Sequence, residues 1–131
     1  MPTVELTAET FSETVTENDI VLLDFWADWC GPCKTFGPIY ESVSENHDDI
    51  VFAKVDTEQQ QELAAQFGIR SIPTLAVIRE QVVVFAQPGV VPAEALEDLI
   101  GQVRELDMEE VKAEAQPGAV PDAEPGATPE S

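Results

Sequence analysis

Residues Ile20-Val21-Leu22-Leu23-Asp24-Phe25-Trp26 form an almost unbroken apolar run of β-favouring side chains. A strand built from it has no polar face to give to water, so both faces need cover. That is the situation of a central strand in a sheet with helices above and below. The run leads through Ala27-Asp28-Trp29 directly into Cys30-Gly31-Pro32-Cys33.

The neighbouring segments supply the rest of such a sheet. Val4-Glu5-Leu6 reads as a short edge strand. Thr7 can cap a helix running to about Val15, with Phe11 and Val15 on one face. A second helix is predicted from Cys33 to Asn46, with a buried stripe of Phe36, Ile39, Tyr40 and Val43 and a kink at Pro38. Ile50 to Asp56 reads as another inner strand, its apolar run broken by Lys54. Glu58 to Phe67 reads as a helix closed by Gly68, with Leu63, Ala64 and Phe67 inward. Thr74–Ile78 and Val82–Phe85 are predicted to pair as a hairpin across Arg79-Glu80-Gln81, followed by a loop at Gln87-Pro88-Gly89. Pro92 suits the first turn of a last helix carrying Leu96, Leu99, Ile100 and Val103 inward. Strands alternating with helices before a terminal hairpin and helix predict an α/β fold: a mixed sheet, parallel where helices intervene and antiparallel at the hairpin.

Leu106 to Glu114 either extends the last helix or forms a short one of its own. From Gln116 onward the composition changes, with prolines at 117, 121, 125 and 129 and Pro-Gly-Ala at 117–119 and again at 125–127. Acidic, low in complexity and almost without large apolar groups, this tail is predicted to be disordered.

A chain of 131 residues, 44% apolar, is the size of one domain with one core region. Its 26 acidic and 6 basic residues give a formal charge of −20. Such a charge argues against nucleic acid, whose phosphates need Lys and Arg, and against anionic membranes. Its plainest reading is solubility; steering of basic partners is the other. With no apolar stretch near 18 residues and no basic, apolar leader after Met1, the chain is expected to be cytoplasmic and, by default, monomeric.

Cys30 and Cys33 carry the chemistry. The C-x-x-C spacing sets two sulfurs one helical turn apart. If Cys30 sits at the helix start, its thiolate meets unpaired backbone N–H groups and the positive end of the helix dipole, which favours ionisation near neutral pH. Cys30 would then attack a disulfide, and Cys33, lying deeper, would resolve the mixed disulfide by an intramolecular second attack. A zinc site wants four ligands, whereas the chain offers these two cysteines and His47. No metal and no cofactor beyond the sulfur pair is expected. A purely structural disulfide does not suit a reducing cytoplasm. Two inert buried thiols remain the competing reading. His47, in Asn46-His47-Asp48-Asp49, reads as a solvated loop residue.

Asp24-Phe25-Trp26-Ala27-Asp28-Trp29-Cys30-Gly31-Pro32-Cys33-Lys34 resembles the active-site segment of the thioredoxin family. Ala53-Lys54-Val55-Asp56, Phe67-Gly68-Ile69-Arg70-Ser71-Ile72-Pro73-Thr74 and Gly89 fall where that family places its other motifs. The likeness spans residues 3–106. It implies a thioredoxin domain over 1–106, a helical extension over 107–115 and the tail over 116–131. It also implies protein-disulfide reductase activity, with electrons from a thioredoxin reductase and client proteins as acceptors. By this resemblance Cys30 is the nucleophile and Cys33 the resolving thiol. Asp24 is the buried carboxylate that deprotonates Cys33, and Lys54 supports Asp24 from the next strand. A carboxylate inside a doubly buried strand is costly unless it is used, although a capping or water-satisfied Asp is the alternative. For Lys54 the alternative is a snorkelling surface lysine. Gly31 and Pro32 would tune the redox potential. Trp29, Ile72, Gly89 and Pro73, the last as a cis-proline, would form the substrate-binding rim, and Trp26 belongs to the core.

The chain departs from the family in two places. Arg79-Glu80-Gln81 lacks an Asn-Gly turn, which predicts a longer or bulged connection. Gln87-Pro88-Gly89-Val90-Val91-Pro92 carries an extra proline before the glycine. With the acidic extension after Leu106, this second departure is reminiscent of thioredoxin-fold co-chaperones, so a binding module with secondary redox activity is the alternative function.

Overall fold

The structure is a computed structural model and describes residues 3–114. The tail from Gln116 lies outside them. The described chain runs β1 (Thr3–Glu5), α1 (Ala8–Glu17), β2 (Ile20–Trp26), α2 (Gly31–Ser44), β3 (Val51–Asp56), α3 (Gln61–Gln66), β4 (Thr74–Arg79), β5 (Val82–Pro88), α4 (Ala93–Arg104) and α5 (Met108–Glu114).

The five strands form one sheet in the order β1-β3-β2-β4-β5. β3 pairs in parallel with β1 and β2, and β4 runs antiparallel to both β2 and β5, so the sheet is mixed. β2 is the central strand, and its residues Ile20 to Phe25 are all buried. Successive side chains alternate between two cores. Leu22 joins Phe36, Tyr40 and Phe52 with Leu96 and Ile100, under α2 and α4. Val21, Leu23 and Phe25 join Val15, Leu63 and Ala64, under α1 and α3. Helices therefore cover both faces, as the unbroken apolar run requires. The Tyr40 hydroxyl, wholly enclosed in the first core, donates to the Ala53 carbonyl at 2.8 Å.

Element ends follow local chemistry. Thr7 caps α1 through a reciprocal box with Thr10. α3 ends in a double closure: the Gly68 N–H bonds to the Ala65 carbonyl and the Ile69 N–H to the Ala64 carbonyl. This places Gly68 at φ +66°, where a side chain would be strained. α3 is shorter than the sequence suggests. It starts at Gln61 because residues 57–59 turn, with the Asp56 carboxylate accepting from the Glu58 N–H. Pro92 is the residue before α4 rather than part of its first turn. β5 continues past Phe85 as far as Pro88, which lies opposite Thr74.

The hairpin turn is tight, not long. Arg79 pairs with Val82, leaving Glu80 and Gln81 as a two-residue turn at φ +52° and +71°, while the bulge lies further along, at Val77/Ile78. This mirror-image turn matches the sheet's twist but normally calls for Asn or Gly. Here tertiary contacts hold it. The Glu80 N–H donates to the Asp19 carbonyl at 2.8 Å. The Arg79 guanidinium donates to the carbonyls of Val103, Arg104 and Leu106, closing the open end of α4. From α5, Lys112 reaches Glu80 at 2.6 Å, and Met108 is buried. The extension is thus packed at the hairpin end of the strands.

Replacing Arg79 with Met strips three carbonyls of a half-buried donor and is expected to lower unfolding stability by about 2 kcal/mol in urea titration. Replacing Lys112 with Met removes only a solvent-screened pair and should cost less than about 1 kcal/mol. Equal losses would contradict this assignment.

Candidate active site

β2 leaves the sheet at Trp26 and delivers the chain to the start of α2. The helix begins at Gly31, two residues earlier than the sequence pattern indicates, because Cys30 itself is the capping residue. The Cys33 N–H donates to the Cys30 Sγ at 3.1 Å. Pro32 sits in the first turn, where a missing N–H costs nothing. Cys30 and Cys33 are joined as a disulfide. In this oxidised form Cys30 is 3% exposed and Cys33 6%, so the expected contrast between an open and a deep sulfur is small.

The surrounding residues come from three other segments. The Cys30 Sγ lies 3.6 Å from the Ile72 carbonyl oxygen. The Ile72–Pro73 peptide is cis. Gly89, at φ +102°, donates its N–H to the Pro73 carbonyl at 2.8 Å, a conformation that favours glycine. Trp29 is 68% exposed, and its indole N–H donates to the Glu58 carboxylate at 3.1 Å. The sequence reading missed Glu58. Its one signal was position, just after the carboxyl end of a parallel strand, where α/β sheets gather their site residues.

Asp24 lies beneath, within β2, 1% exposed and opposite Lys54 of β3. Burial pushes its carboxyl up from 3.8 to about 7, opposed by the nearby Lys54 charge. The two do not touch as an ion pair. The Lys54 ammonium stands over the Trp26 ring, 4.9 Å from its centre, and Asp24 Oδ1 has no hydrogen-bond partner. Trp26 is half-buried rather than core: with Cys33, Lys34 and Lys54 it lines a cavity of about 660 Å3. His47 is not a solvated loop residue. It is half-buried at the end of α2, 2.7 Å from Glu97 and 3.1 Å from Arg104, which also grips Asp49. That Arg104 bond holds the Asp49 carboxyl down at about 2. Among the described residues, no group of three or more His, Cys, Asp or Glu is arranged to hold a metal.

Two sulfurs one helical turn apart, able to cycle between a bond and a dithiol, make the chain a thiol–disulfide oxidoreductase. The family model for thioredoxin matches residues 2–102. A Streptomyces coelicolor protein provisionally named thioredoxin 2 is 66% identical over 110 residues, covering 84% of this chain and 82% of that one. Among solved structures, a mutant thioredoxin from Halobacterium salinarum superposes with a TM-score of 0.74 at 36% identity, covering 80% of this chain and 94% of its own. A chain in the crystal structure of a ferredoxin:thioredoxin reductase and thioredoxin f2 complex gives 0.72 at 35% identity, covering 79% and 97%. The chain belongs to the thioredoxin family, and its activity is protein-disulfide reduction.

The raised Asp24 value fixes a sign. The folded state keeps a proton on Asp24 that the unfolded state has lost, so stability falls as pH rises from about 4 through about 7. At ~1.4 kcal/mol per pH unit, the cost above neutrality is of order 4 kcal/mol. Asp24→Asn is therefore expected to stabilise the protein by a few kcal/mol at pH 8 and far less at pH 4, read by denaturant midpoints at both pH values. A stabilisation independent of pH would show that Asp24 is not the titrating group.

Proposed function

We propose that the protein is a cytoplasmic, monomeric reductant of client protein disulfides, recharged by a thioredoxin reductase and so part of an electron-transport chain that maintains cellular redox balance. In this reading the Cys30 thiolate attacks one sulfur of a client disulfide. A Cys30–client bond forms, and the other client sulfur leaves as a thiolate. Cys33, giving its proton to the Asp24 carboxylate, then attacks the Cys30 sulfur. The Cys30–Cys33 bond forms, the second client thiolate departs, and two electrons have passed from the protein to the client.

The observation that carries the reading is the Cys33 N–H aimed at the Cys30 sulfur at 3.1 Å, at the amino end of a 14-residue helix. A donor and a dipole end in that place favour a thiolate over a thiol. Asp24, buried with its carboxyl at about 7, is matched to taking and returning a proton near neutral pH, with the Lys54 charge limiting the rise. Trp29, Ile72, Pro73 and Gly89 are assigned to holding the client, the Ile72 carbonyl being within 3.6 Å of the attacking sulfur. Gly31 and Pro32, in the first turn between the sulfurs, are assigned to setting the potential. The similar thioredoxin f2 structure is of a complex with a ferredoxin:thioredoxin reductase, which supports a reductase as electron donor. The sequence holds only these two cysteines, which suits a reducing compartment.

Reduced protein should precipitate insulin by cleaving its disulfides. Cys30→Ser should abolish this to background, and Cys33→Ser should accumulate a covalent mixed disulfide visible on a non-reducing gel. Insulin reduction by Cys30→Ser at the wild-type rate would end this reading.

A further inference from the structure

A groove of about 540 Å3 is lined by Trp29, by Ala64 and Ala65 of α3, and by Ile69 and Ile72, whose carbonyl oxygen is 3.6 Å from the Cys30 sulfur. Of its nine lining residues, Arg70 alone is charged. The 6 Lys and Arg residues of the chain are otherwise nearly all engaged. Arg79, Arg104 and Lys112 form ion pairs at the hairpin and at the α2–α4 seam, and Lys54 stands over Trp26. Among the described residues, Arg70 and Lys34 form no ion pair; Lys34 follows Cys33 in the chain, and Arg70 lies in the groove lining two residues before Ile72. Both are exposed. Four carboxylates adjoin lining residues in sequence, Asp28, Asp56, Glu58 and Glu62; Glu58 is occupied by the Trp29 indole N–H, Asp56 accepts from the Glu58 N–H, and none of the four is among the lining residues.

We infer that this groove selects clients carrying an acidic residue close to the attacked cysteine, with Arg70 as its specificity-determining partner. The inference rests on the reductase reading and names its preferred substrate. A chain with a formal charge of −20 repels acidic proteins at long range, but at physiological salt that field is screened beyond about 8 Å. Inside that distance the groove lining itself offers the client a single charge, the Arg70 guanidinium. An aliphatic client side chain fills the groove, and a neighbouring carboxylate pairs with Arg70 in the two-pronged geometry guanidinium favours. Because this contact is made on docking and does not involve the exchanging sulfurs, it acts on KM rather than kcat.

The test uses three disulfide-closed peptides, identical except for Glu, Gln or Lys at positions within three residues of the cysteine, reduced by the full-length protein at physiological salt. The wild type is expected to prefer the Glu peptide over the Lys peptide by about three- to fivefold in kcat/KM, as befits a partly exposed ion pair. The difference should lie in KM and shrink in high salt. Arg70→Gln should flatten the preference and Arg70→Glu should reverse it. Lys34→Gln should keep the order. A wild type that prefers the Lys peptide, or the same ranking in the wild type and both Arg70 variants, would overturn the inference while leaving the reductase reading intact. No reduction of any peptide would strike at the reductase reading itself.

Discussion

Six consecutive residues of β2, Ile20 to Phe25, are shut away from water, and the strand is hydrogen bonded to β3 along one edge and β4 along the other. Most of what the molecule does follows from that burial. It fixes helices on both faces, because each face of β2 feeds a separate apolar core. It raises the Asp24 carboxyl by withholding water from the charged form, with Lys54 too far away to form a contact pair. It also gives the chain one rigid exit, at Trp26, from which only three residues lead to Cys30. The sulfur assigned to start the reaction and the carboxylate assigned to its partner are thus carried by one strand and its continuation, an arrangement that suits pre-organised chemistry.

The two ends of the strands have different work. At the carboxyl end of β2, the Cys33 N–H and the Ile72 carbonyl approach the Cys30 sulfur, and a backbone bond ties Gly89 to Pro73. At the opposite end, long side chains lock the turn at Glu80-Gln81, the end of α4 and the α5 extension together through Arg79 and Lys112. The acidic extension, as far as it is described, is anchored at that second end.

What the sequence made legible was whatever depends on neighbours along the chain. The apolar run from 20 to 26 announced a central strand because it lacks any alternation. Thr7 announced a cap, and the C-x-x-C spacing placed both sulfurs on one turn of helix. What it hid depends on partners far away. The Glu80-Gln81 turn carries no glycine or asparagine, because Asp19, Arg79 and Lys112 hold a backbone that the local residues would not choose. His47 sits among polar neighbours and reads as solvated, yet its partners Glu97 and Arg104 lie 50 and 57 residues away. Glu58 gave no more than a positional signal for the same reason, since the indole it holds is 29 residues distant. The sequence pattern starts α2 two residues late, at Cys33, although it already allows for Cys30 at the helix start. A cysteine acting as the cap gives no familiar signal, as it stands outside the Ser, Thr, Asp and Asn set that normally marks a helix start.

The central physical claim is that the amino end of α2 ionises the sulfur at position 30. The most direct measurement is the rate of alkylation of Cys30 by iodoacetamide as a function of pH in the fully reduced protein, with Cys33→Ser isolating the single thiol. The account predicts a midpoint clearly below the ~8.5 of an ordinary cysteine. It also predicts loss of the depression when the native fold is unfolded in denaturant. A midpoint at or above that ordinary value in the native protein, or one unchanged by unfolding, would contradict it.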